Sequence, residues 1–179
     1  METLTKTIWA IDPTHSEAGF KVRHLVISTV NGKFNEFEGS VETEEDNFEG
    51  AEINFAAKID SISTGVADRD AHLKSDDFFN AAEYPELKFQ STSFTKLNDD
   101  EYALKGDLTI RDNTKPVELK VIYGGTVSDP YGNTKAGFEI SGKINRKEFG
   151  LKWDDVTEAG SVVVSEEIKL DLNIQLVKQ

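Results

Sequence analysis

The chain has 179 residues, no cysteine and a formal net charge of -13, from 33 acidic and 20 basic residues. This length fits one domain with its own hydrophobic core, so we expect a single domain over residues 1–179. The negative charge disfavours nucleic acid as a partner, because phosphate backbones would be repelled. The absence of cysteine excludes a disulfide framework and thiolate chemistry.

The N-terminal residues 1–10 lack the basic stretch and following apolar stretch of a signal peptide. No later segment approaches the roughly 18 consecutive apolar residues of a membrane-spanning helix. We therefore expect a protein that does not span a membrane and that resides in the cytoplasm.

Alternation of apolar and polar residues predicts β-strands along most of the chain. After a short start near residues 8–11, the pattern continues through residues 18–22, 37–41, 51–59, 87–89, 102–110, 117–123, 136–144 and 162–176. The last segment is the longest and is interrupted only by Glu166. At roughly 3.3 Å per residue, such a strand extends for about 50 Å, well beyond the usual strand of a globular sheet.

One stretch breaks the alternation and predicts a short helix near residues 66–75, with Asp68 positioned to cap its first turn. The segments 98–100 and 129–133 are rich in Asn, Asp, Gly and Pro, which favour tight turns and therefore hairpins.

About eight one-sided strands can bury their apolar faces in a two-sheet sandwich or in a closed barrel, and their length favours the barrel. The predicted fold is therefore all-β, an antiparallel barrel of about eight strands with one short helix. Small residues on the inward face would leave space for a guest molecule; they are Gly39, Ala51, Ala57, Gly106, Ala136 and Gly142. The alternative is that the glycines mark bends and that side chains fill the interior.

Several sequence blocks occur in an order that resembles the YceI-like family, whose members bind polyisoprenoids in an extended, lipocalin-like barrel. The blocks are residues 9–16, 32–39, 62–65, 69–75, 77–79, 84–85, 89–92, 106–110, 114–117, 137–138 and 146–150. The segments 112–113 and 164–167 depart from the family pattern. The resemblance implies an isoprenoid tail inside the barrel and the helical segment near its mouth.

The expected ligand is a long-chain isoprenoid lipid, either a polyprenyl compound or an isoprenoid quinone. Cationic and hydroxyl side chains beside an apolar lumen suit a headgroup oxygen, and Arg69, His72, Lys74 and Ser75 are the candidates. The alternative for these four is a solvated helix with local ion pairs. The residues expected to line the lumen are Phe20, Val22, Phe37, Phe55, Leu73, Phe78, Phe79, Phe89, Leu108, Ile110, Tyr123, Phe138 and Ile140.

Two groups of large apolar residues are expected to pack at the ends of the barrel. Phe78 and Phe79 would pack the helix onto the mouth, whereas Phe149, Leu151 and Trp153 would close the other end, pack the final hairpin or belong to the ordinary core.

The remaining chemistry points to binding rather than catalysis. His15 and His24 have opposite strand parity, and the pair Asp68 and His72 lacks a third ligand at a recognisable spacing, so we expect no metal. No nucleophile–base pair, phosphate loop or carboxylate pair stands out, so we expect neither an enzyme nor a cofactor. Family analogy suggests a possible homodimer. The alternative function is a filled structural or interaction barrel without a ligand.

Overall fold

The computed structural model describes residues 6–24, 27–45, 47–151 and 164–179. Strands dominate these ranges, together with one α-helix and three short 3-10 turns at Pro13–His15, Ile59–Ser61 and Arg146–Phe149. The elements are β1 (Lys6–Ile11), β2 (Glu17–His24), β3 (Ser28–Phe34), β4 (Phe37–Glu44), β5 (Asn47–Lys58), β6 (Ile62–Ser63), α1 (Ala67–Lys74), β7 (Glu86–Lys96), β8 (Glu101–Ile110), β9 (Asn113–Ser128), β10 (Thr134–Asn145) and β11 (Val164–Lys178).

Eight strands close into an antiparallel barrel in the order β1-β4-β5-β7-β8-β9-β10-β11. The pairing of β1 with the end of β11, where Trp9 lies opposite Lys178, completes the ring. The rest of β11 pairs with β2, which pairs with β3, and β3 pairs briefly with β6. The predicted all-β barrel with one short helix is confirmed.

The two ends of the barrel carry different elements. At the helix end lie α1, the turn between β8 and β9, the start of β11 and the 3-10 turn Arg146–Phe149. At the opposite end, which we call the floor end, lie Trp9 and the hairpins β4–β5 and β9–β10. The turns predicted at 98–100 and 129–133 both form hairpins at the floor end.

The predicted inward face is the face that the barrel buries. Along β8, Tyr102, Leu104, Leu108 and Ile110 are all buried, as expected for period-two alternation around a core. Glu166, the one interruption in β11, falls where the register with β2 shifts between Val164 and Ile168. The predicted start of this strand at Val162 lies outside the described residues.

Two local details differ from the prediction. The helix forms at Ala67–Lys74, but its N-cap is Val66, which makes no side-chain cap hydrogen bond, so the expectation for Asp68 was wrong. Asp70 instead accepts hydrogen bonds from the Thr64 backbone N–H and hydroxyl at 2.8 and 2.6 Å. The pattern also missed β3, because Gly32 weakens its apolar face.

In the described ranges, no helix is long and apolar enough to cross a bilayer.

Two of the small inward residues, Gly39 and Gly142, do not leave empty space, contrary to one expectation. A Cβ added at Gly39 would lie 2.6 Å from Ile11 Cδ1. At Gly142 it would lie 2.4 Å from Leu119 Cδ2. Neighbouring side chains therefore cover these glycines, a packing that allows close approach across a curved sheet.

Candidate functional site: an apolar cavity with one polar end

An apolar cavity of about 350 Å³ lies inside the barrel and extends from α1 to the floor end. The interior is therefore not packed solid with side chains from end to end. Of the lumen residues predicted from sequence, the cavity wall includes Phe20, Val22, Phe55, Leu73, Phe78, Phe79, Phe89, Leu108, Ile110, Phe138 and Ile140.

Two predicted lumen residues, Phe37 and Tyr123, are not on this wall. The ring of Phe37 packs 5.9 Å from that of Phe55 and borders a separate shallow depression. Tyr123 lies behind the wall, with ring-centroid distances of 5.6 Å to Phe48 and 5.2 Å to Phe138. Its hydroxyl hydrogen-bonds to Thr126. The alternating sequence pattern predicted that both side chains point inward, but it could not predict their distance from the barrel axis.

The polar part of the wall is concentrated at the helix end. Arg69 lines the cavity, and its guanidinium donates to the Thr64 hydroxyl at 2.8 Å and to the Thr64 carbonyl at 2.7 Å. These two bonds fix the Arg69 side chain against the wall. Other polar residues on the wall are Arg23, Thr64, His72 and Arg146 at this end, and Asn54 midway along β5.

Of the three remaining predicted headgroup residues, one lines the cavity and two do not. His72 lines the cavity, and its Nε2 lies 2.8 Å from a carboxylate oxygen of Asp77, rather than pairing with Asp68. Lys74 and Ser75 are not on the cavity wall. Ser75 ends α1, where its hydroxyl donates to the His72 carbonyl at 2.5 Å.

Arg146 is a wall residue to which the sequence gave no role. Its side chain is almost fully buried, and it donates hydrogen bonds to the backbone carbonyls of Ser165, Leu151 and Val164 at 2.8, 2.6 and 3.1 Å. Multiple carbonyl acceptors offset part of the cost of burying a charge. The guanidinium thereby ties the start of β11 to the turn after β10. Only its place in a family block could have drawn attention to it.

Phe78 and Phe79 are buried between the helical segment and the barrel. The ring of Phe79 meets Phe34 edge-on at 6.2 Å. Arg111, in the turn after β8, donates to the carbonyls of Phe78 and Asp76 at 3.1 and 3.0 Å. The helical segment is thus attached to the barrel by aromatic packing and by one arginine.

Of the alternatives for Phe149 and Leu151, the ordinary core is confirmed, and closure of the end opposite α1 is not. Both are buried at the helix end, because they follow the last residue of β10 at that end of the barrel. The Asn113 side chain donates to the Phe149 carbonyl at 3.0 Å, and Leu151 lines the cavity. The sequence could not show which way β10 runs. Trp153 lies outside the described residues.

A cluster of aromatic rings closes the floor end. Phe48, which the sequence did not single out, is its centre, with ring centroids 5.1 Å from Trp9 and 5.1 Å from Phe138. Phe94 stacks on Tyr102 at 4.6 Å beside it. Phe48, Phe94 and Phe138 present atoms to the cavity, whereas Trp9 and Tyr102 lie behind them.

A carboxyl group with a large pKa shift, that of Asp12, lies away from the cavity. Hydrogen bonds from Thr14 and then His15 lower the pKa of Asp12 to about 2, and the His15 ring nitrogen lies 2.8 Å from its carboxylate. This network fixes the bend between β1 and β2. Across the described ranges, no group of three His, Asp or Glu side chains is arranged to hold a metal ion. The side chain of His24 lies outside the description.

Comparisons with known proteins agree with this architecture. A family model described as the YceI-like domain matches residues 9–176. Protein YceI of Escherichia coli O157:H7 is 38% identical over 165 residues, which cover 92% of this chain and 83% of the relative. The UPF0312 protein of Photorhabdus laumondii is 44% identical over 140 residues, 78% of this chain and 72% of the relative.

Solved structures show the same fold. The YCEI protein of Campylobacter jejuni superposes with a TM-score of 0.74 at 30% identity, covering 98% of this chain and 97% of that one. A polyisoprenoid binding domain from Saccharophagus degradans has a TM-score of 0.66 at 15% identity, covering 97% and 98%. At that identity, the second match establishes a shared fold alone.

Proposed function

We propose that this chain, which belongs to the YceI-like family, binds a polyprenyl compound or an isoprenoid quinone inside its barrel and sequesters or carries it. The single observation that supports this most is the cavity, whose wall is apolar except for Asn54 and the helix end. Each methylene group moved from water into such a wall contributes about 0.8 kcal/mol.

The distribution of polar residues suggests how the lipid lies. A tail against the floor-end aromatics and a head beside α1 would match apolar atoms with the apolar wall and oxygen atoms with Arg69 and His72. Arg69 is the better donor because its planar fork can hold an anion or a carbonyl through two hydrogen bonds. Lys74 and Ser75 do not line the cavity, so in this arrangement they could contact only the outer part of the headgroup.

Binding without catalysis is part of the proposal, since among the described residues the cavity wall includes His72 but no carboxylate, and Asp77, which contacts His72, is not on the wall. The cytoplasmic location and the homodimer stay predictions. The protein of Saccharophagus degradans is described as polyisoprenoid-binding, which supports the ligand class by analogy of fold.

Native mass spectrometry of freshly purified protein tests the proposal directly. We expect an added mass that organic extraction releases and that chromatography identifies as a prenyl lipid. Delipidated protein should take up an added prenyl alcohol with one-to-one stoichiometry. A protein that yields no lipid and takes up none would favour the filled, ligand-free barrel instead.

A second measurement addresses the headgroup. Arg69→Ala should weaken binding of a prenyl phosphate more than binding of a prenyl hydrocarbon of equal length. Lys88→Ala, an exposed change on the outer face of β7, is the control. If Arg69→Ala weakens the binding of both ligands equally, the headgroup does not contact Arg69.

A further inference from the structure

The floor end of the cavity is built around one side chain. Phe48 contacts three other rings: Trp9 at 5.1 Å, Phe138 at 5.1 Å and Tyr123 at 5.6 Å between centroids. It is 5% exposed and forms part of the cavity wall. A tail that enters from the helix end therefore meets Phe48 at the bottom.

Phe48 has this position because β5 is irregular near its start. Glu42 lies opposite Glu52, but Glu44 lies opposite Asn47, so β5 contains extra residues relative to β4. Gly50, with φ of 80°, is in the left-handed region that glycine adopts without strain. A bulge of this kind redirects neighbouring side chains. Phe48 consequently points inward although its parity differs from that of Ala51 and Ile53.

The position of Phe48 limits how far a bound tail can extend. The cavity runs inside the barrel from α1 to the ring cluster around Phe48. At the floor end, its wall includes Phe48, Phe94 and Phe138. The tail that the barrel can bury therefore ends at Phe48.

We propose that Phe48 acts as a length ruler, setting how many isoprene units of a bound lipid the barrel can bury. This inference rests on the proposed lipid binding and specifies its selectivity. Each isoprene unit that fits between α1 and Phe48 adds affinity. Further units find no apolar wall, because the ring cluster of Phe48, Trp9 and Phe138 blocks the barrel.

Competition between prenyl alcohols of one to ten isoprene units and a dansyl-labelled fatty acid measures how affinity depends on tail length. For the wild type, we expect affinity to rise with each added unit until the tail reaches Phe48 and then to stop rising. Phe48→Ala removes about six carbon atoms, roughly one isoprene unit. The variant should continue to gain affinity for one further unit, by about tenfold or more.

Phe149→Ala is the matched control. It removes the same atoms from an equally buried phenylalanine that is not on the cavity wall, so its length profile should match the wild type. Phe48→Leu serves if the alanine variant does not fold, and it should shift the profile in the same direction by less. Trp9 fluorescence in a Trp153→Phe background should respond only to tails that reach the floor.

The outcomes separate the two proposals. If the wild type binds none of the alcohols, both lipid binding and the ruler are refuted. If it binds them with affinity that keeps rising through the whole series, or if Phe48→Ala and Phe149→Ala give the same profile, the ruler is refuted and lipid binding stands.

Discussion

Gly106→Ala should destabilise the barrel although it adds a single methyl group. The new Cβ would lie 2.4 Å from Phe89 Cζ and 2.5 Å from the backbone oxygen of Gln90. The phenyl ring can move by a side-chain rotation, but the oxygen belongs to β7 and can retreat only if β7 and β8 separate. Overpacking of this kind costs about 1–3 kcal/mol.

The expected net loss is about 2 kcal/mol, since replacing glycine also restricts the unfolded chain and returns part of the cost. For a chain of this size, that corresponds to a fall in Tm of about 4–8 °C. Urea unfolding followed by tryptophan fluorescence measures the free energy of unfolding, and unchanged m-values would show that the surface exposed on unfolding is unaltered.

Gly137→Ala is the internal control for this reasoning. Gly137 also lies within a strand, but no atom lies within 4 Å of its added Cβ, and its φ is not in the left-handed region. We expect no loss, or a gain of about 0.5 kcal/mol. Equal destabilisation by the two substitutions would show that close contact across β7 and β8 is not what requires glycine at position 106.

Three further predictions concern the bend, the bulge and the helical segment. Hydrogen bonds from Thr14 and then His15 lower the pKa of Asp12 to about 2. The stabilisation of the fold by the charged Asp12 carboxylate is therefore complete above about pH 4 and disappears as the pH falls through 2. Asp12→Asn should therefore unfold at lower urea than wild type at pH 7, with the difference closing near pH 2. Gly50→Ala should cost about 1–2 kcal/mol in urea unfolding because of its left-handed backbone, whereas Gly50→Asn should cost less. Arg111→Ala removes the hydrogen bond to the Phe78 carbonyl, so amide hydrogen exchange should accelerate in α1 and not in β10. Equal acceleration in both elements would contradict the idea that Arg111 attaches only the helical segment.

Much of the fold follows from the sequence, because alternation is a property of each strand alone. Residues 51–59, 102–110 and 136–144 were assigned to strands with the correct buried face, since a period of two leaves no other way to bury their apolar side chains. The helix at residues 67–74 was equally visible as a break in that period. The family blocks then indicated which closed arrangement the strands adopt.

The candidate site was predicted less completely, because its shape depends on contacts between distant segments. Alternation identified Phe55, Phe89 and Phe138 as wall residues, but it could not separate Tyr123, which lies behind the wall. It also assigned empty space to Gly106, which the Phe89 ring covers from the neighbouring strand.

What the sequence by itself determined is the set of strands and the face that each one buries, since both depend on residues a few positions apart. The tertiary structure alone decided that Phe48 turns inward at the Gly50 bulge, that Arg146 is buried, and that Phe149 packs at the helix end beside Asn113. These features depend on strand register and on which ends of the barrel meet, and such long-range pairings leave no periodic trace in the chain.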